Sequence, residues 1–215
     1  ISNKSISNFA HHLNRGRQAM DEIGLLALYK GTLIHDRFSS YFGYGCEHSL
    51  CNAHILRDLI YVEETFNATW AKQIKELLLD AKKMKEKNPN IRASYYSKIF
   101  KKYVNIIRPV IKKYDKKYTK TDEERLAFAL EKHKYLILKF IEKAEIPFDN
   151  NQAERDLRMI KVKQKVSGCF RAKTHASYFA CIRGYITTLK KNNENVLENI
   201  RNAFLKKPFI PVWAE

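Results

Sequence analysis

The sequence predicts an α/β fold, with a small strand–helix core interrupted by a large all-helical block and closed by a helical tail. Three observations predict it. A short apolar run, Thr32-Leu33-Ile34-His35, ends on an acid, Asp36, as a strand of an open α/β sheet ends at its ligand-binding edge. From about Ile55 to Ala144 the apolar residues recur with the 3.6-residue period on a heavily charged background. Hydrophobic residues make up 45% of the 215, enough to bury a core and to exclude global disorder.

Residues 5–11 alternate weakly and are expected to form a strand. Arg15 to Leu28 reads as a helix, with Ala19, Ile23 and Leu26 on one face and Asn14 as its cap. Lys30-Gly31 breaks it before the Thr32–His35 strand. Phe38 to Tyr44 reads as a short helix or turn closed by Gly43 and Gly45, and His48 to His54 as a strand running into a helix. In the helical block, Trp70, Ile74, Leu77, Leu78, Ala81 and Met84 form one stripe. After the break at Asn88-Pro89-Asn90, Ile91, Tyr95, Ile99, Tyr103, Ile106, Ile107, Val110 and Tyr114 form a second, with a bend expected at Pro109. Thr121-Asp122-Glu123-Glu124 opens a third helix as a capping box, with Leu126, Leu130, Ile137 and Ile141 as its buried face. Pro147 precedes a helix carrying Glu154 that Gly168 ends. Helices near Lys173–Lys191 and Val196–Leu205 complete the chain. The organisation expected is residues 1–54 as a partial core, 55–146 as a helical insertion, and 147–215 as a core helix with C-terminal helices.

The net charge is +17, from 40 Lys and Arg against 23 Asp and Glu. Charge of that size opposes compactness and points to a polyanionic partner, nucleic acid first and an anionic membrane surface second. No apolar run approaches the ~20 residues that span a bilayer, and no basic-then-apolar leader opens the sequence. Four cysteines, Cys46, Cys51, Cys169 and Cys181, are too few for a disulfide scaffold and suit a reducing cytoplasm. Cys169 and Cys181 read as small core residues.

Two acids stand out in this basic chain. Asp36 ends the strand-like run, and Glu154 lies early in a helix that continues with Arg155, Arg158, Lys161, Lys163 and Lys165. Phosphodiester cleavage uses divalent cations held by carboxylates from separate elements, and hard cations such as Mg²⁺ or Mn²⁺ want oxygen ligands. Asp36 and Glu154 are therefore candidate metal ligands and catalytic residues. Each also has a purely structural role open to it. Asn151-x-x-Glu154 fits a capping box, and Asp36 fits a helix cap ahead of Phe38-Ser39-Ser40. Arg155, Arg158, Lys161 and Lys163 are candidates for placing phosphates. Arg171 and Lys173, beside Phe170, form a basic-aromatic cluster suited to clamping a DNA strand, or Phe170 simply packs. Cys46-x-His48-x-x-Cys51-x-x-His54 supplies four zinc-type ligands whose spacing matches no standard finger, and buried thiols with a hydrogen-bonded His54 fit equally.

Several segments taken together resemble the transposases of the insertion-sequence-66 family. They are Arg15-Gly16-Arg17-Gln18-Ala19-Met20, Gly31 through Tyr41, Cys51-Asn52-Ala53-His54-Ile55-Leu56-Arg57, Asp149-Asn150-Asn151-Gln152-Ala153-Glu154-Arg155 and Ser167-Gly168-Cys169-Phe170-Arg171. The resemblance implies a partial ribonuclease-H-like core with a three-acid, Mg²⁺- or Mn²⁺-dependent site, in which Asp36 matches the second acid and Glu154 the third. It implies that the first acid lies on a strand upstream of Ile1, so this segment alone is expected not to cleave DNA. Cys51 and His54 match a C-x-x-H pair between those two acids. The partners implied are DNA, both element ends and target, further copies of the chain in an active complex, and accessory proteins of the same element. No membrane partner is expected, and the location expected is cytoplasmic and nucleoid-associated. The alternatives are a non-catalytic basic DNA-binding remnant, zinc-stabilised through Cys46, His48, Cys51 and His54, and a basic helical protein on anionic membranes.

Overall fold

A computed structural model describes residues 1–14, 16–114, 120–168 and 170–211. Arg15, expected to open the first helix, and Cys169, expected in the core, lie outside the described residues. The chain divides into two compact units, one of residues 27–150 and the other of residues 1–26 with 151–215. The expected boundary at 54/55 falls inside a continuous helix, and both strands belong to the same unit as the helical block.

In the 27–150 unit, β1 (Thr32–His35) pairs in parallel with β2 (Glu47–Leu50), with Thr32 opposite Glu47 and His35 opposite Leu50. A short crossover joins them through a 3-10 turn at Ser39–Gly43. The ladder continues past β2, because the Cys51 amide donates to the His35 carbonyl at 2.9 Å. Five helices follow: α3 (Asn52–Phe66), α4 (Thr69–Lys87), α5 (Ala93–Lys113), α6 (Asp122–Lys132) and α7 (Lys134–Glu142). Their stripes interlock in one core, with Ile55, Leu59 and Val62 of α3 and Trp70, Ile74, Leu78 and Ala81 of α4. Ile99, Tyr103 and Ile107 of α5 join Leu126, Leu130, Ile137 and Ile141 of α6 and α7. Tyr103 is fully buried, so its hydroxyl needs a partner, and it donates to the Leu130 carbonyl at 3.1 Å. Met84, expected on the α4 stripe, is exposed, while Ala71 is buried there.

Helix ends follow local chemistry. The Thr121 hydroxyl accepts the Glu124 amide and the Glu124 carboxylate accepts the Thr121 amide, the expected capping box. The helix expected to run on through Ile141 breaks at His133 into α6 and α7. α5 continues through Pro109. Lys85 of α4 donates to the carbonyls of Phe140, Lys143 and Ile146, closing the C-terminal end of α7 where carbonyls have no helical partner. Glu47 of β2 pairs with Lys143 at 2.7 Å and Lys139 at 3.4 Å, and Ser49 donates to the Leu136 carbonyl, so the sheet is fastened to α7.

The other unit holds α1 (Arg17–Ile23), α8 (Asn151–Ser167), α9 (Lys173–Lys191) and α10 (Val196–Phe204); α2 (Leu25–Leu28) straddles the cut. The single helix expected over 15–28 is broken at Gly24, whose φ of 79° is left-handed. Gly16, not Asn14, is its capping residue, and Ile23 is exposed. No strand forms at residues 5–11 among the described residues; an isolated antiparallel bridge joins Ser2 and Ser7 instead. The pull on this segment comes from α9. The Ser7 amide donates to Thr188 Oγ1 at 3.1 Å, Asn192 Nδ2 donates to the Ser5 carbonyl, and a β-carbon at Gly184 would stand 3.0 Å from the Ser7 carbonyl. Those backbone groups are satisfied by side chains rather than by a neighbouring strand. Cys181 is exposed, not in the core. The buried line of α9 is Ala176, Ala180, Gly184 and Thr187/Thr188, and one residue beyond Ala180 turns ~100° away from it.

Candidate functional site

Within the 27–150 unit, Asp36 stands exposed immediately after β1. Its Oδ1 accepts the Phe38 amide at 3.2 Å, an Asx-type turn over Arg37. The helix-cap alternative is not realised, because the 3-10 turn begins at Ser39 with Phe38 as its cap residue and no side chain caps it. The carboxylate opens on a shallow cleft lined by Arg37, Phe38, Ala129 and His133. Arg37 has a left-handed backbone, φ 71°, and its guanidinium pairs with Asp58 of α3.

Behind Asp36 lies an aromatic and imidazole cluster. His35 is buried, its Nε2 is 3.3 Å from His48 Nδ1, and its ring meets Phe42 edge-on. Its Nδ1 has no hydrogen-bond partner. Phe42 in turn stacks on His133 at 5.0 Å. Burial, then the neighbouring His48, lowers the His35 pKa to about 4, so the ring is neutral near pH 7. Burial also lowers the pKa of His133.

The four expected zinc-type ligands do not gather. His48 is committed to His35 and to the Tyr44 carbonyl at 3.1 Å, and neither Cys46 nor His48 joins a group of three potential ligands among the described residues. Cys51 and His54 do come together, with Sγ and a ring nitrogen within 4.8 Å, as one helical turn at the head of α3 dictates. Cys51 is buried and its sulfur accepts the Asn150 amide at 3.2 Å. Asn150 also donates from Nδ2 to the Ile34 carbonyl at 3.4 Å, two residues before Asp36. Asn52 is fully buried and donates to the Ile137 carbonyl at 3.1 Å. Asn52 and Asn150 thus tie the backbone at Ile137 and Ile34 and the Cys51 sulfur within this unit.

In the other unit, Glu154 is exposed in the first turn of α8, where a negative charge complements the helix dipole. The helix runs Asn151–Ser167, so Asn151 and Glu154 both lie in its first turn. Glu154, Arg158, Lys161 and Lys165 are all exposed and recur at i, i+4, i+7 and i+11, so they share one face over about 16 Å. Arg155 is also exposed and donates to Gln152 Oε1 at 3.0 Å. Lys163 points elsewhere: it is half-buried and donates to Ser167 Oγ at 2.8 Å. Sequence reasoning left Lys165 out of the phosphate-placing set and included Lys163. A helical wheel registered on Glu154 separates them. Arg171 and Lys173 are exposed at the start of α9, and Phe170 packs against Phe179 with ring centroids 5.4 Å apart.

α8 is held by Asp156 on its opposite side. Asp156 Oδ2 accepts Lys191 Nζ at 2.8 Å and the hydroxyls of Ser2 and Ser7, while Oδ1 accepts Gln152 Nε2. Burial pushes its carboxyl pKa up, but the bonds from Lys191 and Ser2 outweigh it and the net shift is downward. This acid is saturated with donors, which makes it structural, whereas Glu154 two residues earlier is exposed.

Against known proteins, the model of the transposase IS66 family matches residues 2–178. No curated protein and no solved structure gives a significant match.

Proposed function

The chain belongs to the transposase IS66 family, and from that premise we propose that it supplies two acids and the phosphate-guiding face of a metal-dependent DNA strand-cleavage and strand-transfer site. The observation that carries the reading is the face of α8. An exposed acid, Glu154, heads a line of exposed cations at helical spacing, Arg158, Lys161 and Lys165. An acid that must work beside a polyanion needs such neighbours, because they offset phosphate charge and fix the strand's register.

Asp36 and Glu154 are the proposed metal ligands. Both are exposed carboxylates, a donor set that fits Mg²⁺ or Mn²⁺. Asp36 and Glu154 would hold a divalent cation, which would supply activation of the attacking water and charge stabilisation at the leaving oxygen. The ribonuclease-H-like arrangement of the core belongs to the same proposal, supported by the parallel β1–β2 pair with Asp36 at its carboxyl edge. Arg155, Arg158, Lys161 and Lys165 bind backbone phosphates of the element end, and Arg171 and Lys173 extend that contact. The substrates are element-end and target DNA, and the active species is an oligomer of this chain with accessory proteins of the element. No helix among the described residues is long and apolar enough to cross a membrane.

The test is Glu154→Gln in the active transposase. Mg²⁺-dependent nicking should fall by about a hundredfold or more, with DNA binding kept. Cleavage that survives the substitution removes Glu154 from the site. A second reading, a basic DNA binder without catalysis, is favoured by the charge of +17 alone. It predicts salt-sensitive binding and no metal-dependent nicking by any form of the protein.

A further inference from the structure

The residue after Asp36 adopts a backbone that β-carbon sterics disfavour. Arg37 has φ 71°, a region where glycine is at ease, where Asn and Asp are tolerated, and where a long cation has no local compensation. Such a conformation persists only where its surroundings over-determine it. Two interactions do so. The Asp36 carboxylate spans the residue to take the Phe38 amide at 3.2 Å. The Arg37 guanidinium reaches α3 and pairs with Asp58, which lies between the fully buried Ile55 and Leu59 and so stands on a rigid element. The other nearby acid, Asp122, lines the same cleft as Arg37 and Asp58 but is paired with Arg125 at 3.0 Å.

We propose that Arg37 and Asp58 are positioning residues for Asp36. The pair holds the left-handed turn, and the turn commits one carboxylate oxygen to the Phe38 amide so that the acid faces the cleft of Arg37, Phe38, Ala129 and His133. The proposal rests on the reading of Asp36 as a metal ligand, and the two are separable by experiment.

The experiment follows backbone amides of the ¹⁵N-labelled chain by NMR. It reads hydrogen exchange at Phe38 without metal, and paramagnetic broadening of the same amide during a Mn²⁺ titration. In Asp58→Asn, the Phe38 amide should exchange about tenfold faster and the Mn²⁺ concentration for half-broadening should rise about tenfold. Protection at Ile55 and Leu59 should stay unchanged, which certifies the fold. Arg37→Ala should match or exceed this effect, whereas Arg37→Gly, which keeps the φ without strain, should fall about fivefold short of it. A pair that merely supports the surface predicts equal effects for Ala and Gly. Equal effects, or an Asp58→Asn protein that exchanges and titrates like the wild type, overturn the proposal. Asp36→Asn should abolish the Mn²⁺ broadening at Phe38. If it does not, Asp36 is no metal ligand and the site reading fails, while the exchange arm still decides whether the pair holds the carboxylate.

Discussion

At the scale of single residues, charge type says less than direction. Lys161, Lys163 and Lys165 are equivalent in composition, yet only Lys161 and Lys165 share the Glu154 face, and Lys163 is spent on Ser167. Replacing Lys161 and Lys165 together by Ala should weaken DNA binding about tenfold or more and reduce the salt slope by about two. Lys163→Ala should leave both nearly unchanged in the same fluorescence-anisotropy titration, and a slope that drops equally for Lys163→Ala would discard the face assignment. His35 makes a second single-residue case. Its folded pKa of about 4 lies below its ordinary 6.5, so between those values the unfolded chain takes up a proton that the folded chain refuses. Stability therefore falls as pH drops through that window. The Tm should decline from pH 7 to pH 5 more steeply in the wild type than in His35→Gln, and parallel declines would show that His35 is not the linked group.

At the scale of elements, α8 shows how a single buried carboxylate can fasten a helix whose other residues are exposed or half-buried. Asp156 is its one buried residue, and that carboxylate gathers Lys191, Ser2, Ser7 and Gln152. Removing one partner of a buried ion pair leaves the other charge desolvated, at a cost of about 3 kcal/mol or more. Asp156→Ala should therefore destabilise the protein by that order in urea titrations and release residues 1–9, seen as new proteolytic cleavage there. The double replacement Asp156→Leu with Lys191→Met should cost clearly less than the single one. If the double variant is the worse of the two, the pair is net stabilising and the argument from desolvation fails. The N-terminal segment belongs to the same account. Its weak alternation is real in the sequence, but α9 satisfies its backbone through Thr188 and Asn192, and at Gly184 a β-carbon would crowd the Ser7 carbonyl at 3.0 Å.

At the scale of the whole molecule, the charge of +17 has to be borne by a chain whose main hydrophobic cluster is built from apolar helix stripes. Most of the cations sit outside those stripes, where self-repulsion is screened by salt and relieved by a polyanion. DNA affinity should accordingly fall by roughly a hundredfold between 50 and 200 mM salt for every four phosphates neutralised. Affinity that is flat across this range would place the binding energy in apolar contacts and not in the cationic faces. Thermal stability at low salt should in turn rise on adding DNA, through binding to the folded state alone.

Periodicity and capping chemistry act within a turn or two of chain, and so they were legible without coordinates. The helices at Thr69–Lys87 and Lys173–Lys191, the strand Thr32–His35 and the Thr121 box that opens α6 follow directly from residue order. So did the placing of the two acids at element ends, Asp36 after β1 and Glu154 in the first turn of α8. Interactions between distant residues were not legible. The break at Gly24, the exposure of Cys181, the dispersal of Cys46 and His48 away from Cys51 and His54, the Arg37–Asp58 pair and the outward face of Lys165 each depend on what lies opposite. Local pattern states which side chains can share a surface. Only packing decides which surface is covered and which meets solvent, because burial is a property of the neighbours and not of the residue.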